Sequence, residues 1–97
     1  MTLTTYKELT VWQKSIDLVI AIYKLTEEFP KTEVFGLTAQ IKKSVISIPS
    51  NIAEGFARKS RLEYLHFIRV SFGSGAELET QLYIAQKLNF IDKENYN

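Results

Sequence analysis

Apolar residues along this chain recur at helical spacing in three long stretches, and almost nowhere at the two-residue period of a strand. In the first stretch, predicted as a helix from about Leu9 to Glu28, Val11, Trp12, Ile16, Leu18, Val19, Ile22, Tyr23 and Leu25 make a wide apolar face. Lys14, Asp17, Lys24 and Glu28 occupy the other side, and Pro30 ends the pattern. The second stretch predicts a helix over 37–57, with Ile41, Val45, Ile48 and Ile52 as a narrow stripe. Ser44, Ser47, Asn51 and Glu54 run beside it, an unusual amount of polarity next to a helix core, and Pro49 should bend the axis. Ser60 and Glu63 have the spacing of a capping box and open a third helix over 61–88, with Leu65, Ile68, Phe72, Leu82 and Leu88 expected inward. Asn89 suits a left-handed stop, and Asp92-Lys-Glu-Asn reads as the start of a fourth helix.

Short connections make consecutive helices antiparallel neighbours. The expectation is therefore one all-α domain over residues 1–97, an antiparallel up-down four-helix bundle whose fourth helix is truncated or missing in this chain. Three helices leave an apolar face that a fourth helix or a neighbouring subunit must cover. A chain of this length buries only ~65% of its unfolded surface, so partner surfaces matter.

Composition narrows the functional classes. There is no cysteine, which excludes disulfides and thiolate metal sites, and the polar opening MTLTTYKELT lacks the apolar core of a signal peptide. No run is long enough to span a bilayer, so no membrane partner is expected and a bacterial cytoplasmic protein is the default. The net charge of +1 is unevenly spread: residues 42–69 hold six basic and two acidic residues, whereas both flanks are net acidic.

Lys42, Lys43, Arg58, Lys59, Arg61 and Arg69 are thus the candidates for phosphate contact, with Arg58-Lys59-x-Arg61 compact enough to form a patch. Their alternative role is as solvated helix-end charges or partners of Glu54, Glu63 and Glu77. Ser47, Asn51 and Glu54 either fix the register of adjoining helices or line a subunit interface, with Pro49 between them. Glu54 is expected to pair with a cation on an adjoining helix, and Glu77 or Glu79 to face Lys42 or Lys43. Gly73-Ser74-Gly75-Ala76 lies inside the third helix, where each glycine costs roughly 1 kcal/mol against alanine; close approach of another helix would offset that. Gly55 should loosen the last turn of helix two. Glu63 and His66 have di-iron-bundle spacing, but one histidine cannot build such a site within a chain. Trp12 and Tyr23 read as core. No nucleophile–base pair is present, so no catalytic residue, metal or cofactor is assigned.

Several segments occur in order: Leu9-x-Val11-Trp12-Gln13, Phe29-Pro30, Glu33-Val34-Phe35-Gly36-Leu37, Gln40-Ile41-Lys42-Lys43, Ser47-Ile48-Pro49-x-Asn51-Ile52-Ala53-Glu54-Gly55, and Gly73-Ser74-x-x-Glu77-Leu78-Glu79. Together, over Tyr6–Ile91, they resemble the bacterial four-helix-bundle proteins associated with intervening sequences of 23S ribosomal RNA genes. The resemblance implies a ring-like homopentamer of antiparallel bundles. It is also similar in shape to the accessory protein of diversity-generating retroelements, which binds reverse transcriptase and nucleic acid. Lys42 and Lys43 stand where members tend to carry arginines, keeping charge but weakening bidentate phosphate recognition.

Two functions follow as expectations. One is a non-enzymatic homo-oligomer that binds RNA or DNA weakly through the basic segment. The other is a protein–protein adaptor for a nucleic-acid-processing partner, favoured if Arg58, Lys59 and Arg61 are paired with acids.

Overall fold

The periodic stretches form three helices in the computed structural model, which describes residues 4–91. They are α1 (Thr10–Thr26), α2 (Leu37–Ala57) and α3 (Arg61–Lys87), with 3-10 turns at Tyr6–Glu8 and Lys31–Glu33. The described residues contain no strand. The expected fourth helix from Asp92 lies outside them.

Local chemistry sets the ends of these elements. A complete capping box, not anticipated from the sequence, opens the N-terminal turn: Thr5 accepts from Lys7 N–H at 3.3 Å while Glu8 accepts from Thr5 N–H at 3.2 Å. At α3 only half of the expected box forms. Ser60 Oγ accepts from the Glu63 N–H at 3.4 Å, but the Glu63 carboxylate faces Arg58 instead. The C-terminus of α3 ends as expected, with Asn89 at φ 65°. Its N–H donates to Gln86 O at 3.0 Å and that of Phe90 to Ala85 O at 2.9 Å, the paired bonds of a Schellman motif.

Helix α2 runs unbroken through Pro49, which is buried. It is the central element, packing on α1 along one side and on α3 along the other. The α2–α3 contacts run antiparallel: Ser47 meets Ser74, the Ile48 carbonyl meets Ser71, and Gly55 meets Tyr64 and Phe67. No Cα of α1 comes within 8 Å of a Cα of α3, so α1 and α3 flank an open trough above α2.

The apolar stripe of α2 is the core, with Ile41, Val45 and Ile52 almost wholly shielded from water. Ile22, Phe29, Leu78, Ala85 and Ile91 complete the main cluster with Ile41 and Val45. Rings of Phe29 and Phe90 close that end, with centroids 5.7 Å apart.

Helix α3 turns inward a face that matches the expected one only in part: Leu82 packs against the core and Ile68 is half-buried. Ser71, Ser74, Leu78 and Ala85 are buried, whereas Leu65 and Leu88 are exposed and Phe72 is 82% exposed. Ser71 and Ser74 of this row hydrogen-bond to α2, and Leu78 and Ala85 join the core cluster. Tyr23 is likewise exposed, and Trp12 is only half-buried, packing edge-on to Tyr6 at 5.3 Å between centroids.

The close approach falls at Gly55, not at the glycine pair of α3. A Cβ on Gly55 would lie 2.8 Å from Phe67 Cβ and 3.3 Å from the Tyr64 carbonyl oxygen. Among the described residues, nothing outside the local helix backbone lies within 4 Å of a Cβ placed on Gly73 or Gly75. In thermal or denaturant unfolding, Gly55→Ala is expected to destabilise by about 1–3 kcal/mol through overpacking. Gly73→Ala and Gly75→Ala should each stabilise the isolated chain by about 1 kcal/mol, because helix propensity is all they change.

A pH dependence follows from the N-terminal turn. The Thr4 side chain (2.8 Å), the Thr4 N–H (3.1 Å) and the Thr5 N–H (3.2 Å) all donate to Glu8 Oε1. These bonds, the Thr4 hydroxyl first, hold the exposed Glu8 carboxyl below the ordinary glutamate value. Because the folded value is the lower one, the turn keeps its full contribution above the ordinary value and loses it as pH falls through the folded value. An NMR titration should show the Thr4 and Thr5 amides following Glu8 with a depressed midpoint, and Thr4→Val should move that midpoint upward.

Candidate nucleic-acid interface

The polar row of α2 solves its hydrogen-bonding problem inside the chain. Asn51 Nδ2 donates to the Ser47 carbonyl and to Ser47 Oγ, both at 2.8 Å, and Ser47 Oγ shares a 2.8 Å hydrogen bond with Ser74 Oγ of α3. Ser71 Oγ donates to the Ile48 carbonyl at 3.0 Å, immediately before Pro49. Polar residues on a close-packed seam must pair with one another, since an unpaired buried group costs about 1–3 kcal/mol. The Ser47–Ser74 and Ser71–Ile48 bonds cross from α2 to α3, while Asn51 supports Ser47 from within α2.

Other members of the expected set lie elsewhere. Glu54, Gly73 and Glu77 are exposed. Glu54 pairs with Arg58 on its own helix at 3.0 Å, not with a cation across a helix interface as expected. Neither Glu77 nor Glu79 makes an ion pair with Lys42 or Lys43 among the described residues; both point to solvent. Lys42 Nζ instead sits 4.7 Å from the Tyr23 ring centroid, a cation–π contact between α2 and α1.

The six basic candidates do not form one patch. Lys42 and Lys43 are separated from Arg58 by about 24 Å along α2, at 1.5 Å per residue. Arg69 is displaced from Arg61 by about 12 Å along α3 on the same measure. Arg58 is engaged within the fold: it bonds Glu54, reaches Glu63 Oε1 at 3.5 Å and lies 5.2 Å from the Phe67 ring centroid. It clamps the α2–α3 turn.

Lys59 and Arg61 remain, and among the described residues neither makes an ion pair. Both sit where local physics disfavours them. Lys59 has φ 56°, a left-handed backbone that costs a side-chain-bearing residue about 1 kcal/mol. Arg61 is the first residue of α3, where its charge opposes the helix dipole. The two residues line a groove of about 360 Å³ with Ser60, Leu9, Phe56 and Tyr64. Sequence reasoning missed this grouping because Leu9 and Phe56 are far apart in the chain.

A second depression occupies the trough between α1 and α3. One part, about 550 Å³, is lined by Val11, Ile48, Ile52, Ile68 and Phe72, with Gly75 and the carboxylate-bearing Glu79 on its wall. It continues past Leu18, Leu78 and Leu82.

Among the described residues no group of three or more histidine or acidic side chains is placed to hold a metal ion. His66 is exposed, its ring edge-on to Phe67. No helix of the described residues is long and apolar enough to cross a membrane.

A serine-bridged helical hairpin and a flanking helix across a largely apolar trough define a small all-α fold. The chain belongs to the 23S rRNA-intervening sequence protein family, whose profile matches residues 7–97. No curated protein matches it in sequence.

Arg58→Ala is expected to lower stability by about 1 kcal/mol, since its two ion pairs are half-exposed and each is worth well under that. Raising the salt concentration should shrink the difference between variant and parent in denaturant melts, leaving the part due to the Phe67 stack.

Proposed function

We propose that the chain is a non-enzymatic subunit of a homo-oligomer, a ring of five as the family resemblance implies, that holds RNA or DNA weakly in a bacterial cytoplasm. The observation that carries the assembly is the trough between α1 and α3. Its apolar lining continues onto Phe72 and Tyr83, which are 82% and 51% exposed, and onto the open backbone at Gly73 and Gly75. Water against so much hydrocarbon costs roughly 25 cal/mol per Å². A fourth helix over the trough, giving the antiparallel four-helix bundle, and a neighbouring subunit against the outer face of α3 would together cover it. Support for nucleic acid comes from the basic stretch 42–69 and from the family's name, which refers to 23S rRNA. Lys43, Lys59, Arg61 and Arg69 are its proposed contacts, with Lys42 contributing charge from beside Tyr23.

A second reading, an adaptor for a protein that acts on nucleic acid, draws on the connection between α1 and α2. There Phe35 is 95% exposed beside the half-exposed Val34, an apolar tip suited to a partner's pocket.

Light scattering on a sizing column tests the assembly. A particle near five times the 11.2 kDa chain mass is expected, and Phe72→Glu should dissociate it; a monomer at micromolar concentration would overturn it. Mobility shift at low salt tests the second half: a single-stranded RNA should be retarded, with the affinity falling steeply as salt rises. An unshifted oligonucleotide at 20 mM salt removes nucleic acid from the function and leaves the adaptor.

A further inference from the structure

We infer that the groove framed by Leu9, Phe56, Tyr64, Lys59 and Arg61 seats one unpaired nucleotide, the base on the apolar floor and the adjoining phosphates on the two cations. The inference rests on the nucleic-acid reading above and assigns it a strand form and a place.

Three observations converge on that occupant. The groove walls are apolar and aromatic, from Leu9 ahead of α1, Phe56 in the last turn of α2 and Tyr64 in the first turns of α3. Its two charged lining residues, Lys59 and Arg61, are both basic, and neither is neutralised by an acid among the described residues. Arg58, which directly precedes Lys59, is held by Glu54 and Glu63 and does not line the groove. The turn thus separates a structural cation from two free ones.

The third observation is the location of those free charges. A glycine or asparagine at position 59 would suit φ 56°, and an acidic residue or proline at position 61 would suit the start of a helix. The chain carries positive charge at both, two departures from local preference on the rim of one groove. Such departures concentrate where function outweighs stability.

An aromatic surface flanked by cations matches the two faces of a single-stranded nucleotide, a flat apolar base and an anionic backbone. Duplex stacks its bases inward and offers this groove only phosphates. An acidic peptide would satisfy the cations and leave the aromatic floor unused.

The test uses the full chain and fluorescence anisotropy with a labelled 15-nucleotide poly-U, a 15-base-pair duplex and poly-glutamate as competitor. Lys59→Gly removes charge and relieves the backbone at once. It should raise the melting temperature while weakening poly-U binding about fivefold and lowering the salt slope by about one. Arg61→Gln should weaken binding similarly, again without loss of stability. Tyr64→Leu keeps the apolar volume but removes the ring; it should cost about tenfold for poly-U and little for duplex. Lys24→Gln, in the last turn of α1 and about 22 Å along that helix from Leu9, serves as the comparison and should cost less than twofold.

If wild type binds poly-U but the Lys59, Arg61 and Tyr64 variants match it, the groove is overturned and nucleic-acid binding by other residues stands. Equal loss of duplex and poly-U in Tyr64→Leu overturns the base seat. Poly-glutamate competing as well as unlabelled poly-U does the same. No binding by wild type at low salt removes both the seat and the reading beneath it.

Discussion

Everything in this fold depends on how closely α2 and α3 approach. The missing side chain at Gly55 lets Phe67 and the Tyr64 carbonyl come within contact distance of the α2 backbone. At that spacing only hydroxyls and small groups fit between the helices, and Ser47, Ser71 and Ser74 fill the seam with mutual or backbone hydrogen bonds. The narrow seam then rotates α3 about its axis. Leu65, Phe72 and Leu88 are left outside, and of the large apolar residues of α3 Leu78 and Leu82 reach the core around Ile41 and Val45. Exposed Phe72 is therefore a consequence of buried serines.

The serine-lined seam also explains which parts of the fold were legible. The stripe of α2 could be read because Ile41, Val45 and Ile52 are both apolar and central, so periodicity and burial coincide. The ends of α2 and the left-handed stop at Asn89 were legible for local reasons, since caps and breakers act within a few residues. The inward face of α3 was not legible. Hydrophobicity assigns Leu65, Phe72 and Leu88 to the core, and only knowledge that α2 packs at close range reverses the choice in favour of Ser71 and Ser74. Gly55 and the Gly73–Gly75 pair illustrate the same limit: identical residue types, one pressed against a neighbour and two in open space.

For the candidate site the sequence located the charge but not its division of labour. Arg58, Lys59 and Arg61 are nearly consecutive, yet one is spent on Glu54 and Glu63 while the other two border the groove. That sorting depends on which way each side chain leaves a turn, set by the left-handed backbone at Lys59, and no spacing rule encodes it. Leu9 joins the groove only through tertiary packing.

The molecule is also mechanically lopsided. Phe29, Phe90 and Ile91 seal one pole with interlocked rings and aliphatic bulk, while the opposite pole is the short α2–α3 reversal carrying the free cations. The two poles lie at opposite ends of a rod 46 Å long, and at the cationic one Gly55 and Arg58 hold α2 to α3 beside Lys59 and Arg61. Mutational latitude at the cationic pole is therefore divided residue by residue: Lys59 and Arg61 are free to vary without loosening the scaffold, whereas Gly55 and Arg58 beside them are not.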